Sequence, residues 1–272
     1  MKKLILLFFL FSFAFSKAQN LVPNPSFEDT LGCPQFYPDL DTKCKFWQSF
    51  RYSPDYMNDC SSVCGYYNQY GYQQPNSGKA YAGFAAYQTT IPAAREHIGV
   101  QLSSPLVIGT KYYISFYVSP AWNNLLANIA TNKIGALVTT YQYSDPSGLS
   151  PMPNACTFYS DSVIKDTLNW YKIFGSFIAD SAYQFLVIGN FFDDQFLDTI
   201  NLPYSVVPQI AYYYLDDVCL SNDSSYAQAW TGLLENQQQQ NNIEIYPNPA
   251  SNNFHIKSNI SCLLYTSPSP RD

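Results

Sequence analysis

The chain has 272 residues, of which only 12% are charged, with a formal net charge of −6 and an aromatic share of 17% built mainly from 24 Tyr and 19 Phe. Soluble domains carry roughly 25% charged residues, so Tyr, Asn, Gln and Ser must take the place of charge at this surface. With no basic stripe to neutralise phosphates, nucleic acid is excluded as a partner.

At the start, Met1-Lys2-Lys3 is basic, Leu4–Phe15 is an apolar run too short to span a bilayer comfortably, and Ser16-Lys17-Ala18 offers a small-residue cleavage site before Gln19. This order predicts a secretory signal peptide over residues 1–18. No later segment approaches about 18 uninterrupted apolar residues. The mature chain is therefore expected to have no transmembrane segment, and to be secreted or attached to the outer cell surface.

Residues 20–221, about 200 in number, are enough for one domain with a substantial core. Lys111–Ser119 places Tyr112, Ile114, Phe116 and Val118 on one face and Tyr113, Ser115, Tyr117 and Ser119 on the other, which is the period of a strand. Lys133–Tyr143, Trp170–Ala179, Tyr183–Phe192 and Ala211–Leu220 have the same character. Helical periodicity is nearly absent; only Leu125–Ala130 and Tyr226–Leu234 offer a turn or so each. Many short strands punctuated by Pro, Gly and Asn predict an all-β fold, an antiparallel β-sandwich of jelly-roll type.

Residues 222–242 read as a Gln/Asn-rich linker, because the run Glu235–Asn242 cannot bury apolar surface. Residues 243–261 then resume alternation at Ile243 and Ile245, pass through Tyr246-Pro247-Asn248-Pro249, and alternate again at Phe254 and Ile256. That pattern predicts two short strands around a proline-set turn, a small β fragment. The last eleven residues, Cys262–Asp272, resemble the translation of one reading frame of a widely used transposon sequencing adapter. The natural sequence is expected to end near Ser261, in a truncated C-terminal domain.

Setting Cys262 aside leaves Cys33, Cys44, Cys60, Cys64, Cys156 and Cys219. An even count in an exported chain favours disulfides. Cys156 and Cys219 are expected to pair, and Cys33, Cys44, Cys60 and Cys64 to pair among themselves. Zinc held by Cys60 and Cys64 is the minor alternative, given an oxidising destination and no nearby His.

Catalysis has little support. The chain has two His, His97 and His255, and no Gly-x-Ser-x-Gly, His-Glu-x-x-His or phosphate-loop motif. A carboxylate pair for glycoside hydrolysis can be drawn from Glu28, Asp55, Asp59, Glu96, Asp193, Asp194 and Asp198, with nothing to single one out. Arg95 and Glu96 read as a surface ion pair or as structural groups at a sheet edge. Binding is the stronger class. Tyr66, Tyr67, Tyr70 and Tyr72 lie in a Gly/Asn/Gln-rich loop, and Trp122 with Asn123 follows the strand ending at Ser119. Aromatic faces beside amide groups suit sugar recognition, since ring C–H faces stack while hydroxyls meet Asn and Gln. The plainer alternative for each tyrosine is packing over a strand end.

The two ends of the domain, Asn20–Asp29 and Tyr212–Leu220, resemble the first and last strands of galactose-binding-like jelly rolls, including carbohydrate-binding modules. Pro54–Met57, Ser77–Phe84, Arg95–Ile98 and Ile188–Phe191 are similar to a Bacteroidetes branch of exported modules. The resemblance implies a structural calcium joining the ends, held by the Glu28 carboxylate, Asp216 or Asp217, and a carbonyl near Lys79. These groups capping turns by accepting amides is the alternative. Ile243–Ile256 resembles the start of the type A sorting domain of the type IX secretion system. That likeness implies Bacteroidetes origin and export through the type IX machinery. Together these readings describe a secreted, non-catalytic module for glycan or another cell-surface ligand, with an adhesive protein-contact role as the alternative and a hydrolase as the remoter one.

Overall fold

The computed structural model describes residues 19–92, 94–144, 153–203, 207 and 209–232, together with the backbone of 243–246 and 255–258. The chain divides into two compact units, Met1–Gly232 and Leu233–Asp272. The first opens with a single helical turn, α1 (Leu40–Lys43), and then β1 (Trp47–Arg51), β2 (Asp55–Asn58), β3 (Tyr67–Asn68) and β4 (Gly71–Tyr72). Next come β5 (Ala80–Gln88), β6 (His97–Gln101), β7 (Lys111–Pro120), β8 (Ile129–Thr131) and β9 (Ile134–Thr139). The rest is β10 (Phe158–Tyr159), β11 (Tyr171–Ile178), β12 (Phe185–Asn190), β13 (Thr199–Asn201), β14 (Ile210–Ser221) and α2 (Ser224–Ala229).

Two five-stranded sheets, ordered β1-β6-β12-β9-β10 and β11-β7-β14-β5-β2, form an antiparallel β-sandwich of jelly-roll type. Period-two alternation decides which side chains meet between the sheets. Ile114, Phe116 and Val118 of β7 join Ile98 and Val100 of β6, Leu186 and Ile188 of β12, and Ile134, Ala136 and Val138 of β9 in one buried cluster. Each such aliphatic side chain contributes roughly 1.5–3 kcal/mol by burial. The expected strands stand at these places, three trimmed at their ends and two, β7 and β14, running one or two residues longer. Leu125–Ala130 forms no helix; its last two residues enter β8, which pairs with β13.

Both sheets are partly covered on their outer faces, although Phe174 and Ile178 of β11 stay exposed. On the second sheet, Met57, Tyr81, Ala85, Tyr212 and Tyr214 point outward and are covered by Tyr66, Tyr70, Tyr37 and Trp170. Farther along, α2 lays Ala227 and the buried Trp230 over Cys219. Asp223 caps that helix, accepting from the amides of Ser225 and Tyr226. Residues 222–232 thus belong to the sandwich unit and not to a linker, because Trp230 supplies apolar surface that the Gln/Asn run lacks. The outer face of the first sheet carries Phe50, Leu137 and Val187 beneath Tyr143, Phe191 and Phe192.

The N-terminal segment is sewn to the last strand. Asn20 donates from Nδ2 to the Val218 carbonyl (2.9 Å) and accepts on Oδ1 from the Leu220 amide (2.9 Å). In the second unit, β15 (Ile243–Tyr246) pairs antiparallel with β16 (His255–Ser258), as the alternation there anticipates. The proline-set turn between them lies outside the described residues.

Candidate functional site

Residues 66–72 form a strap across the outer face of the second sheet. Its two short strands pair Tyr67 with Tyr72 and Asn68 with Gly71, and the Asn68 carboxamide accepts from the Tyr70 amide (3.0 Å) to set the turn. Alternation then sorts the tyrosines. Tyr66 and Tyr70 face inward: Tyr70 stacks on Tyr212 at 3.6 Å between centroids and 11° between planes, and Tyr66 stacks on Tyr81 at 6.3 Å. Tyr67 and Tyr72 face outward, with centroids 4.3 Å apart and Tyr67 78% exposed. The strap is held by the Tyr214 hydroxyl donating to Asn68 Oδ1 (2.9 Å), the Tyr81 hydroxyl to the Gln73 carbonyl (2.9 Å), and Trp170 Nε1 to the Gln74 carbonyl (2.9 Å).

The second aromatic loop meets the strap. Gly71 has φ +140°, and a Cβ there would overlap the carbonyl oxygen of Trp122. Asn123 Nδ2 donates to the Gln69 carbonyl, and its Oδ1 accepts from the amides of Leu125 (3.0 Å), Leu126 (2.6 Å) and Ala127 (3.2 Å). Trp122 remains 38% exposed, its Nε1 donating to the Pro203 carbonyl (3.1 Å). The six residues proposed from sequence as ligand-binding therefore share one region and divide into two roles. Tyr66, Tyr70 and Asn123 spend their surfaces on the fold, and Tyr67, Tyr72 and Trp122 present rings to solvent.

Beneath the strap lie two acids, Asp55 buried and Glu96 half-buried, that the sequence named only among seven carboxylates. Tyr212 donates its hydroxyl to Asp55 Oδ2 (2.5 Å), and the Tyr70 ring lies stacked over that of Tyr212. Glu96 Oε2 accepts from the Ala85 amide (2.7 Å). Burial pushes the Asp55 carboxyl up to about 7, and burial together with the nearby Asp55 pushes Glu96 well up. The expected Arg95–Glu96 surface pair is not formed. Arg95 is buried, bonds Asp194 and lies 5.2 Å over the Tyr87 ring, while Glu96 turns into the sheet. His97, also buried, joins the Tyr143 hydroxyl (2.9 Å) and the Asn190 carbonyl (3.0 Å), and burial pushes its pKa down to about 3.

The carboxylates anticipated as calcium ligands also gather, at a β-bulge in β14 where Asp217 adopts φ +52°. Asp216 Oδ2 accepts from the amides of Asn76 (2.9 Å) and Ser77 (3.1 Å), and Asp217 accepts from Ser77 Oγ (2.6 Å) and Asn76 Nδ2 (2.5 Å). Glu28 Oε1 accepts from the amides of Lys79 (2.7 Å) and Ala80 (2.9 Å), and the Lys79 carbonyl is taken by the Asp59 amide (3.0 Å). These groups act here as amide acceptors joining the chain's ends to the 76–80 turn. Among the described residues, no three His, Cys, Asp or Glu side chains are arranged to hold a metal ion.

Among the described residues one disulfide forms, Cys33–Cys60. The expected Cys156–Cys219 bridge does not: the Cys156 thiol donates to the Phe158 carbonyl and packs in the outer cluster of the first sheet, whereas Cys219 lies under Trp230 on the second. Cys44 and Cys64 are likewise buried thiols, so the four-cysteine framework reduces to one bridge.

No protein-family profile matches the chain, and no curated protein matches it. Among solved structures it is similar to the CBM22-1 xylan-binding domain from Paenibacillus barcinonensis Xyn10C (15% identity, TM-score 0.36, 72% of this chain and 90% of that one). It is also similar to the K3 cleaved adhesin domain of Lys-gingipain from Porphyromonas gingivalis (11%, 0.37, 75% and 99%) and to a CBM4 structure (15%, 0.32, 74% and 98%).

Proposed function

We propose that the sandwich is a secreted, non-catalytic binding module whose ligand is a glycan, taken on the surface formed by Tyr67, Tyr72 and Trp122. The observation that carries this reading is the outward pair of rings at 4.3 Å, set beside an exposed indole by direct contact between their two loops. Such rings offer flat apolar faces to the C–H faces of sugars. A shallow platform of this kind buries little surface, and sugar hydroxyls exchange one hydrogen bond for another, so single-site affinity falls at roughly micromolar to millimolar Kd. Asp55 and Glu96 do not support hydrolysis, since the first is buried and bonded to Tyr212 beneath the Tyr70 ring and the second is held by the Ala85 amide.

Export by the type IX route and a place outside the cell belong to the same proposal, supported by the signal-like N-terminus and the paired strands β15 and β16. No helix among the described residues is long and apolar enough to cross a membrane. Calcium at Glu28, Asp216 and Asp217 is a further part, which rests on the resemblance and on the meeting of these carboxyls at the 76–80 turn. A glycan array on the folded protein, followed by titration of Trp122→Ala and Tyr67→Ala, tests the central claim. Hits weakened by either substitution support it. A silent array, or hits indifferent to both, moves the function to protein contacts at an adhesive surface.

A further inference from the structure

The edge strands of the two sheets, β1 and β10 in one and β11 and β2 in the other, are not guarded alike. At β2 the Tyr37 and Cys64 carbonyls accept from the amides of Tyr56 (3.4 Å) and Asn58 (2.9 Å), at β1 the Asp41 carboxylate accepts from the Ser49 amide, and β10 is only two residues long. β11 has eight residues, none of them proline, and pairs with β7 without a bulge from Tyr171 opposite Val118 to Ile178 opposite Lys111. Among the described residues, no hydrogen bond reaches the outer edge of its backbone. Such an edge is a template for another strand, and proteins usually guard it with proline, a bulge or a lysine. The one charge in β11, Lys172, is turned from that task, its ammonium donating to the carbonyls of Gln228 (2.6 Å) and Trp230 (3.0 Å).

On the outward side this edge reads Lys172, Phe174, Ser176, Ile178 and Asp180, with Phe174 38% and Ile178 66% exposed and Phe174 stacked on the Tyr113 ring at 6.4 Å. The order is self-complementary: cation, apolar, hydroxyl, apolar, anion. We propose that β11 pairs antiparallel with β11 of a second copy of this chain, about a twofold axis at Ser176. Side chains directly opposite in an antiparallel pair share a face, so this axis sets Phe174 against Ile178, Lys172 against Asp180, and Ser176 against Ser176 of the partner subunit. An axis at Gly175 or Phe174 would set Lys172 against Ile178 or Ser176 and leave the charges unmatched, and an axis between residues would oppose outward to inward side chains. Lys172 keeps its two carbonyls and Asp180 keeps the Tyr183 hydroxyl (2.5 Å), so the opposed charges fix register more than they add a bond. The axis stands perpendicular to the shared sheet, so both straps face the same way. On the glycan reading, two weak platforms then act as one bivalent surface. That consequence rests on the proposed function, whereas the pairing itself does not.

Sedimentation velocity of the whole chain from about 1 μM to about 1 mM, with no glycan present, reads the pairing. An eight-residue edge is small beside the roughly 800 Å² per partner of a standard interface, so the chain should pass from monomer to dimer within that series. Ser176→Lys sets two ammonium groups against each other at the axis and should weaken the dimer at least about tenfold, with the Tm unchanged because Ser176 is exposed. Ser176→Cys should yield a covalent dimer on oxidation, beyond any formed by the unsubstituted chain, since opposed Cβ atoms lie about 4.5–5.5 Å apart. Phe174→Cys and Ile178→Cys should each stay uncrosslinked alone and join when mixed. A chain monomeric throughout, a dimer indifferent to Ser176→Lys, or Phe174→Cys linking to itself as readily as Ser176→Cys would overturn the proposal. Should Ser176→Lys fail to fold, the wild-type series and the cysteine variants decide alone. Because no glycan enters the experiment, its failure leaves the binding reading untouched.

Discussion

Gly71→Ala tests whether the strap and the Trp122 loop form one surface. At φ +140° an alanine is strained, which costs on the order of 1–3 kcal/mol, and the added Cβ would meet the backbone of Trp122 rather than a side chain able to rotate away. Forced overlap in a packed place adds about 1–2 kcal/mol. Gly109 separates the two effects: it too has positive φ, +81°, but a Cβ there meets nothing within 4 Å. Gly109→Ala should therefore cost about 1 kcal/mol, and Gly71→Ala about 2–5 kcal/mol, or the equivalent rise in strap opening if the strap lifts before the domain melts. Urea unfolding followed by circular dichroism gives the global value, and exchange at residues 66–73 gives the local one. Equal losses for the two variants by both measures would refute the contact between the loops.

The disulfide closes a span of 27 residues and should contribute about 3.5 kcal/mol in the chain-entropy model, so Cys33→Ser should lower the urea midpoint accordingly. Non-reducing peptide mapping should find that bridge and free thiols at Cys44, Cys64, Cys156 and Cys219; a bridge between Cys156 and Cys219 would contradict the arrangement. His97 is held neutral, so the unfolded chain binds its proton first, and stability should fall by about 1.4 kcal/mol per pH unit from about 6.5 down towards 3. His97→Gln should flatten that limb, and an unchanged acid profile would count against it. If calcium sits at Glu28, Asp216 and Asp217, a chelator should lower the Tm and Glu28→Ala should abolish the response, while indifferent melting curves would reject a removable stabilising ion.

The core was legible because alternation is a local property: Tyr112, Ile114, Phe116 and Val118 declare their shared face within eight residues. The strap was half legible. A tyrosine-rich loop with Gly and Asn was visible, but which rings turn inward depends on the register of Tyr67 with Tyr72 and on what lies beneath. Asp55 and Glu96 are 41 positions apart, and nothing local marks them as neighbours; the hint was an acid beside strand-like residues on both sides, Tyr56-Met57 and His97-Ile98. The cysteine expectation failed for a related reason. An even count implies bridges only if the fold brings sulfurs together, and Cys156 and Cys219 belong to opposite outer faces. Arg95 beside Glu96 looked like a pair because the residues are adjacent, yet adjacency in a strand-like segment sends side chains to opposite sides.

The stitching of Asn20 to Val218 and Leu220 joins residues 198 and 200 positions apart. A ribosome delivers the first partner long before the second, so these bonds of Asn20 wait until the whole domain has emerged. Contacts of such separation also make closure slow, because the entropy of a very long loop is spent before the reward arrives. Assembly is thereby deferred to the last strand. A chain threaded through a narrow passage N-terminus first would stay pliable behind its leading end, and would lock only on the far side.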